Sequence, residues 1–364
     1  MHVERGAKLV DFAGWEMPIM YKSIIEEHKQ VRAAGGMFDV SHMGRLKLSG
    51  RDAQKLIDKV ATRRINDQKE ETCRYSLVCN EQGGVLDDII IYRYDDHWLL
   101  VVNASNREKI LRHLQGHTAD LKVRIDDLTQ STSMLALQGP KVMENIAKFS
   151  SEVPALKRYS FCVKSFLFVK VTISRTGYTG EDGVEVILPA KMPQSLLNMV
   201  LHSGGVAAEQ VMQPAGLGAR DSLRLEAGMP LYGHELDENT DPLSAGLNFA
   251  VALDKGENAA HSGESGFIGQ AALKRIAAEG PKRKLVGLKI DGKRTARQGM
   301  TVTSNGSATG TVTSGCLSPT LGYPIAMAYV DAAHSAVGAT LQVDLGGKPV
   351  DAQVVPLPFY KRGK

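Results

Sequence analysis

At 364 residues the sequence is longer than one simple core requires and suits two or three domains. Hydrophobic residues make up 43% of it and charged residues 23%, which is close to the globular average and argues against a disordered or membrane-embedded chain. The formal charge of +4 is the small difference between 44 basic and 40 acidic residues, with no basic run of the kind that binds nucleic acid. We therefore expect neither a nucleic-acid nor a membrane partner.

The spacing of the cysteines and the distribution of apolar residues allow the cellular compartment to be predicted. Cys73, Cys79, Cys162 and Cys316 form no CxxC pair and no dense disulfide framework. The sequence has neither the basic segment and apolar run of a secretory signal nor a stretch of about 18 apolar residues. These features predict reduced thiols in the cytoplasm of a bacterium or in the mitochondrial matrix of a eukaryote, and we prefer the cytoplasm.

The first predicted elements are a helix and two strands. Apolar residues recur with helical spacing over residues 23–34, and the glycine pair at 35–36 is a suitable helix end. Residues 37–43 predict a strand, Gly44 a bend, and residues 45–50 a second strand with alternating polarity.

Residues 85–103 predict an antiparallel hairpin with Asp95-Asp96 at its tip. If the turn has two residues, Asp88 lies directly across from Asn103. Because side chains alternate along each strand, that register gives one face four side chains. They are Asp88, Ile90, Val101 and Asn103.

Two adjacent carboxylates, Asp87 and Asp88, interrupt a strand that is otherwise apolar. Strand alternation directs them to opposite faces, so we expect one to face solvent and the other the interior. Either the pair sits at an exposed strand start and caps the preceding turn, or one acid is partly buried with a functionally shifted pKa.

Two further clusters carry polar groups beside glycines. In residues 175–186 a glycine-rich turn precedes Glu185, which projects away from its valine neighbours into solvent or into an enclosed cavity. In a cavity, this carboxylate can accept two parallel hydrogen bonds from the amidine-like edge of a flat heterocycle. Residues 214–228 predict a short helix with Arg220 in its first turn and Arg224 on the same face, without the signature of a phosphate-binding loop.

The remaining elements lack the regular strand–helix–strand period of a parallel sheet, which indicates an α+β fold. They are helices at 107–114 and 140–149, strands at 135–137 and 166–174, and later strands at 284–290, 299–303, 310–314, 325–330 and 340–344. The later strands, separated by Gly and Ser, predict a distinct all-β barrel or sandwich. The polar segment 255–263 before them predicts a surface loop.

Motifs for metal or nucleophilic catalysis are missing from the sequence. His28, His42, His97 and His234 have no paired ligand spacing, and HExxH is absent. There is also no GxSxG elbow and no catalytic-cysteine motif. We therefore expect neither a bound metal nor a covalent intermediate on the protein.

Several long motifs, taken in order, resemble the aminomethyltransferase (T-protein) family of the glycine cleavage system. They lie at residues 6–18, 36–44, 83–88, 175–181, 216–221, 231–238 and 313–322, so the resemblance covers essentially the whole chain. It implies a three-domain ring of two α+β domains with antiparallel sheets and a C-terminal β-barrel or jelly roll. The expected divisions are 1–50 with 135–250 for the folate-binding domain, 51–134 for an inserted domain carrying the catalytic Asp, and 251–364 for the barrel.

The resemblance also implies a reaction. The family transfers the methylene carbon of an aminomethyl group, carried on the lipoyl arm of the H-protein, to tetrahydrofolate. The products are 5,10-methylenetetrahydrofolate, ammonia and the dihydrolipoyl carrier, and no metal is needed. The alternative is a non-catalytic folate-binding protein of the same superfamily. A flavin-linked demethylating enzyme is disfavoured because the dinucleotide fingerprint is absent.

Site residues follow from the same resemblance. Asp88 corresponds to the essential carboxylate, expected near folate N5 and N10, where it supports proton movement as an iminium-like cation develops. The residues expected to bind folate around it are Met43, Tyr75, Val101, Asn103, Tyr178, Glu185 and Arg220.

Overall fold

The computed structural model describes residues 2–148, 150–166, 169–192, 211–257 and 266–363. Within these ranges seven α-helices flank three larger sheets and one small hairpin. The helices are α1 (Ile24–Ala33), α2 (Ala53–Val60), α3 (Arg107–Gln115), α4 (Val142–Ala147), α5 (Glu152–Ala155), α6 (Leu217–Glu226) and α7 (Gln270–Glu279). The small hairpin joins β1 (Lys8–Phe12) to β2 (Trp15–Met20).

The first large sheet has six strands, and its middle strands are antiparallel. Their spatial order is β10 (Phe161–Phe166), β11 (Val169–Ser174), β12 (Gly183–Pro189), β9 (Thr132–Gln138), β3 (Gly36–Asp39) and β13 (Gln213–Pro214). The short edge strand β13 pairs in parallel with β3 and leads directly into α6. This connection brings the helix that carries Arg220 close to the sheet that carries Glu185.

The second sheet has five antiparallel strands, in the order β5 (Thr72–Cys79), β6 (Val85–Arg93), β7 (Trp98–Val102), β4 (Gly44–Ser49) and β8 (Arg124–Asp127). Its outer face is covered by α2 and α3, whose Leu56, Ile57, Ile110 and Leu114 pack with strand residues in one core. Its other face turns toward the six-stranded sheet, where Tyr92 and Val101 join a second core. The sheet is therefore buried on both faces.

The third sheet is a closed six-stranded barrel. Around it run β14 (Arg283–Ile290), β17 (Pro324–Asp331), β16 (Ser307–Leu317), β15 (Thr301–Ser304), β18 (Thr340–Asp344) and β19 (Pro349–Val355), which closes on β14. Closure removes unpaired strand edges, and the interior is filled by aliphatic side chains from every strand. The predicted α+β class with antiparallel sheets and a C-terminal barrel is confirmed.

Some predicted details are corrected by the structure. The bend after β3 falls at residues 41–43, and Gly44 already belongs to β4. Gly44 is required for close packing, since an added Cβ would lie 2.5 Å from Val102 Cγ2. The segment 255–263, which was predicted as a surface loop, starts with a buried residue. Lys255 is only 1% exposed, and its Nζ lies 2.9 Å from Asp58 Oδ1. Residues 258–263 of that segment, like Phe149 of the predicted helix 140–149, lie outside the described residues.

Candidate functional site

A cavity of about 730 Å³ lies between the three large sheets. Its lining includes side chains from the six-stranded sheet and α6, from the hairpin of the five-stranded sheet, and from the barrel. Every residue that the sequence indicated for the site is in this lining. These are Met43, Tyr75, Asp88, Val101, Asn103, Tyr178, Glu185 and Arg220.

The β6–β7 hairpin positions Asp88 as its pattern predicted. Tyr94 N donates to His97 O at 2.9 Å, which closes a two-residue turn, and Ile90 lies opposite Val101. Continuing that register brings Asp88 beside Asn103, whose Nδ2 donates to Asp88 Oδ1 at 2.7 Å. The predicted turn, register and shared face are all confirmed.

Asp88 is an acceptor at the cavity wall. Besides the bond from Asn103, its Oδ2 accepts a hydrogen bond from Tyr75 OH at 3.2 Å. Burial raises the pKa of Asp88 above its ordinary value, and the hydrogen bonds from Asn103 and Tyr75 oppose that rise. A carboxylate held by two donors in a largely apolar cavity is suited to stabilising a positive charge that forms nearby.

The other acid of the pair does not face solvent, so that expectation was wrong. Asp87 is 0% exposed and lies on the helix-covered side of the five-stranded sheet. It accepts hydrogen bonds from Asn103 N at 3.0 Å, Asn103 Nδ2 at 2.8 Å and Asn106 Nδ2 at 2.6 Å. The error has a simple cause, because strand alternation separates two faces without indicating that helices cover one of them.

Glu185 and Arg220 form the polar part of the opposite wall. Glu185 is buried and accepts a hydrogen bond from Thr176 Oγ1 at 2.6 Å. Arg220 lies with its Cζ 4.8 Å from the ring centroid of Tyr178, and its buried Nη1 has no partner among the described residues. Burial lowers the pKa of Arg220, while the charge of Glu185 opposes that shift. An acid and an arginine with unused hydrogen-bonding capacity fit a planar heterocycle with donors and acceptors on its edge.

Arg224 anchors the helix that presents Arg220. Its guanidinium donates to Glu235 Oε2 at 2.6 Å and to Ser314 Oγ of the barrel at 2.7 Å. Both side chains of the paired Arg224 and Glu235 are almost fully buried. The predicted placement of both arginines on one helix is confirmed, with Arg224 tying α6 to the barrel.

Sequence reasoning missed part of the lining. The cavity also contacts His42, Tyr232, Phe249, Arg297 and Cys316. His42 could have been found, because it directly precedes Met43 in the same motif. Arg297 and Cys316 come from the barrel, and no local pattern indicates that this domain reaches the site.

The described ranges contain no group of three or more His, Cys, Asp or Glu side chains that could hold a metal ion. The same part of the chain has no helix that is long and apolar enough to cross a membrane.

Comparison with known proteins identifies the family. The model of the GCVT N-terminal domain matches residues 1–255, and that of the glycine cleavage T-protein C-terminal barrel domain matches residues 283–361. The chain belongs to the glycine cleavage T-protein family. It is 47% identical to an aminomethyltransferase of Rubrobacter xylanophilus and 42% identical to one of Geobacillus kaustophilus. These alignments cover 99% of this chain in each case, and 92% and 96% of the two relatives.

A solved structure agrees with this assignment. The glycine cleavage system aminomethyltransferase T from Bartonella henselae superposes with a TM-score of 0.88 at 33% identity, covering 99% of this chain and 96% of that one. The chain is therefore an enzyme, an aminomethyltransferase of the glycine cleavage system. The alternative of a non-catalytic folate-binding protein is not favoured, because these relatives are all described as transferases.

Proposed function

We propose that the central cavity binds tetrahydrofolate and that Asp88 acts at its reactive nitrogens. The donor is the aminomethyl group on the lipoyl arm of the H-protein carrier, whose sulfur–carbon bond breaks as the carbon passes to folate. The nitrogen leaves as ammonia and the sulfur remains on the carrier as a thiol. The observation that carries the proposal is that all eight residues implied by the family resemblance, including the Asp88 and Asn103 that the hairpin register also brings together, line one cavity.

Glu185 and Arg220 recognise the pterin ring in this proposal. The carboxylate of Glu185 accepts hydrogen bonds from the amino group and ring NH of the pterin, and the guanidinium of Arg220, which lines the cavity, donates to acceptors on the ring edge. Hydrogen bonds from these two buried side chains to the edge of the ligand contribute to affinity. The apolar part of the ligand packs on Met43 and Val101 at the cavity wall.

Replacing either polar residue tests this arrangement. We expect Glu185→Ala and Arg220→Ala to weaken tetrahydrofolate binding by roughly tenfold or more, because each removes hydrogen bonds to a buried ligand. Isothermal titration calorimetry measures the effect. Glu144→Ala, at an exposed position outside the cavity, serves as the control. Affinity equal to that of the unaltered protein in both cavity variants would remove these residues from the site.

Asp88 provides electrostatic support in the transfer step. As the sulfur–carbon bond breaks, positive charge develops on the carbon–nitrogen unit, and an adjacent carboxylate stabilises that charge. Asp88 can also hold a proton released from the attacking nitrogen, since its raised pKa makes it a stronger base than an ordinary carboxylate. The transfer involves no change of redox state of the protein, and the proposal includes no metal.

Arg297 provides a place for the anionic tail of folate. It is an exposed cation at the cavity rim, contributed by the barrel. The glutamate carboxylates of folate extend away from the pterin and would meet this charge if the pterin lies near Glu185. Arg297 thus favours polyglutamylated folate through an interaction that salt weakens.

The expected effect of Arg297→Ala is a small loss of affinity, on the order of 1 kcal/mol, that is greater for polyglutamylated than for monoglutamylated folate. Binding measured at low and high salt gives the readout. Arg294→Ala is the matched control, because Arg294 belongs to the same connection but does not line the cavity. An equal loss of affinity for polyglutamylated and monoglutamylated folate would contradict the proposal that Arg297 binds the glutamate tail.

We place the enzyme in the cytoplasm. All four cysteines are free thiols, as expected for a reducing compartment. The relatives from Rubrobacter, Geobacillus and Bartonella are bacterial. Fractionation of the source cells is the direct test.

A further inference from the structure

Asp87 is buried beside the site without belonging to the cavity. The side chain of Asp87 does not line the cavity. It is nevertheless linked to Asp88, because Asn103 Nδ2 donates to Asp87 Oδ1 at 2.8 Å and to Asp88 Oδ1 at 2.7 Å. An amide NH2 group has two hydrogens, so one points to each carboxylate. A single side chain therefore connects the two acids across the edge of the sheet.

The contacts of Asp87 fix the orientation of that amide. The backbone N of Asn103 and its side-chain Nδ2 both donate to Asp87, so the residue is held at two points. Asn106 Nδ2, which is buried, holds Asp87 in turn at 2.6 Å. Without Asp87, the Asn103 amide would be oriented by Asp88 alone, so its Nδ2 would be held at one carboxylate in place of two and the hydrogen bond to Asp88 would be less well fixed.

We propose that Asp87 is a positioning residue for aminomethyl transfer, which locks the Asn103 amide onto Asp88 and so maintains the hydrogen bond that favours the ionised form of Asp88. This inference rests on the proposed catalytic role of Asp88. Asp87 does not line the cavity, so it acts on the reaction through Asn103.

The charged and titratable groups around the pair are few. Asp88 faces Tyr75 of β5, and its charge also acts on Tyr178 across the cavity. The charge of Asp87 acts on Tyr232, whose OH accepts a hydrogen bond from Lys109 Nζ at 2.7 Å. Burial and the neighbouring charge of Asp88 raise the pKa of Asp87 to about 7. The two acids therefore titrate as a coupled pair.

A purely structural role is the competing explanation. Asp87 Oδ2 accepts the backbone N–H of Asn103 immediately before the turn that starts α3, so it also caps this part of the chain. A cap contributes to the stability of the fold, but it leaves the ionisation of a catalytic group unchanged. The pH dependence of the reaction separates the two roles.

The test is Asp87→Asn in the full-length protein, assayed with aminomethylated H-protein and tetrahydrofolate across the pH range. Asp88 ionises while Asp87, whose pKa is raised to about 7, is still neutral, so the substitution acts on Asp88 through the Asn103 hydrogen bond, which lowers the pKa of Asp88. Loss of that hydrogen bond should move the acidic limb of the pH–rate profile to higher pH. The maximal rate should fall severalfold while folate affinity stays unchanged, because the lost orientation affects only the transfer step. A profile superimposable on that of the unaltered enzyme would overturn the proposal, even if the variant unfolds more easily.

Asp52→Asn is the matched control for loss of a buried aspartate. Asp52 is 6% exposed, directly precedes α2, and accepts the backbone N–H of Lys122 at 2.8 Å. It does not line the cavity. We expect this variant to lose stability and to keep the pH profile of the unaltered enzyme.

A second measurement does not depend on the folding of Asp87→Asn or on catalysis. Carbon-13 NMR of aspartate carboxyl groups should reveal one buried aspartate that titrates near neutral pH in the unaltered protein, in line with the value of about 7 for Asp87. In Asp88→Asn that titration should move to lower pH, because the neighbouring charge is gone. An unmoved titration would overturn the coupling, whereas full activity of Asp88→Asn would instead reject the proposed role of Asp88.

Discussion

Asp88→Asn should slow ammonia release from aminomethylated carrier by at least about tenfold, a barrier increase of roughly 1.4 kcal/mol. The amide preserves the shape of the side chain but removes the negative charge that we propose stabilises the developing cation. Folate binding should change little, because Glu185 and Arg220, the residues proposed to hold the pterin, belong to β12 and α6 and not to the hairpin that carries Asp88. Single-turnover kinetics, with and without tetrahydrofolate, measure the effect on the chemical step.

The same hairpin supplies the control. Asp95 lies at the exposed tip, outside the central cavity, so Asp95→Asn should leave both turnover and folate affinity unchanged. If Asp88→Asn turned over at the rate of the unaltered protein, the catalytic carboxylate would have to be another residue. Loss of folate affinity in Asp88→Asn would instead indicate that its main role is binding.

The β-hairpin was predictable from sequence because its information is local. Two acidic residues between two apolar runs specify the turn, and the turn fixes the register that joins Asp88 to Asn103. The barrel was predictable as a class for the same reason, although β19 was missed despite the alternation of Val350, Ala352 and Val354. Its role in closing the barrel depends on pairing with β14, more than 50 residues earlier in the chain.

Long-range packing explains what the sequence could not reveal. The burial of Asp87 depends on helices that cover the outer face of its sheet. The contribution of Arg297 depends on how the barrel sits against the cavity. In both cases the residue's own neighbours in sequence carry no signal, because the environment is created by a distant segment. The positions of Glu185 and Arg220 within the site were indicated only by the family resemblance.

Glu226 joins α6 to the barrel. At the end of α6, its carboxylate accepts hydrogen bonds from the backbone N–H of Thr320 at 3.1 Å and from Thr320 Oγ1 at 2.7 Å. From α1, Arg32 Nη2 lies 2.9 Å and His28 Nε2 3.2 Å from the same carboxylate. Burial alone would raise the pKa of Glu226, but the hydrogen bond and charge of His28 and the hydrogen bonds from Ser318 and Thr320 outweigh it and lower the pKa to about 2.

We expect Glu226→Gln to lower the free energy of unfolding by roughly 3 kcal/mol near neutral pH, since it removes a buried charge and leaves its partners unmatched. A carboxylate whose pKa is depressed on folding contributes stability above its ordinary pKa of 4.5, and this contribution is lost as the pH falls toward 2. In urea unfolding experiments, the difference in free energy of unfolding between Glu226→Gln and the unaltered protein should therefore shrink as the pH falls from 4.5 toward 2. Glu279→Gln, at an exposed helix end, should show no such difference at any pH. If the free energies of unfolding of Glu226→Gln and the unaltered protein differed by the same amount from neutral to acidic pH, the shape of the Glu226 side chain, and not its charge, would stabilise the contact with the barrel.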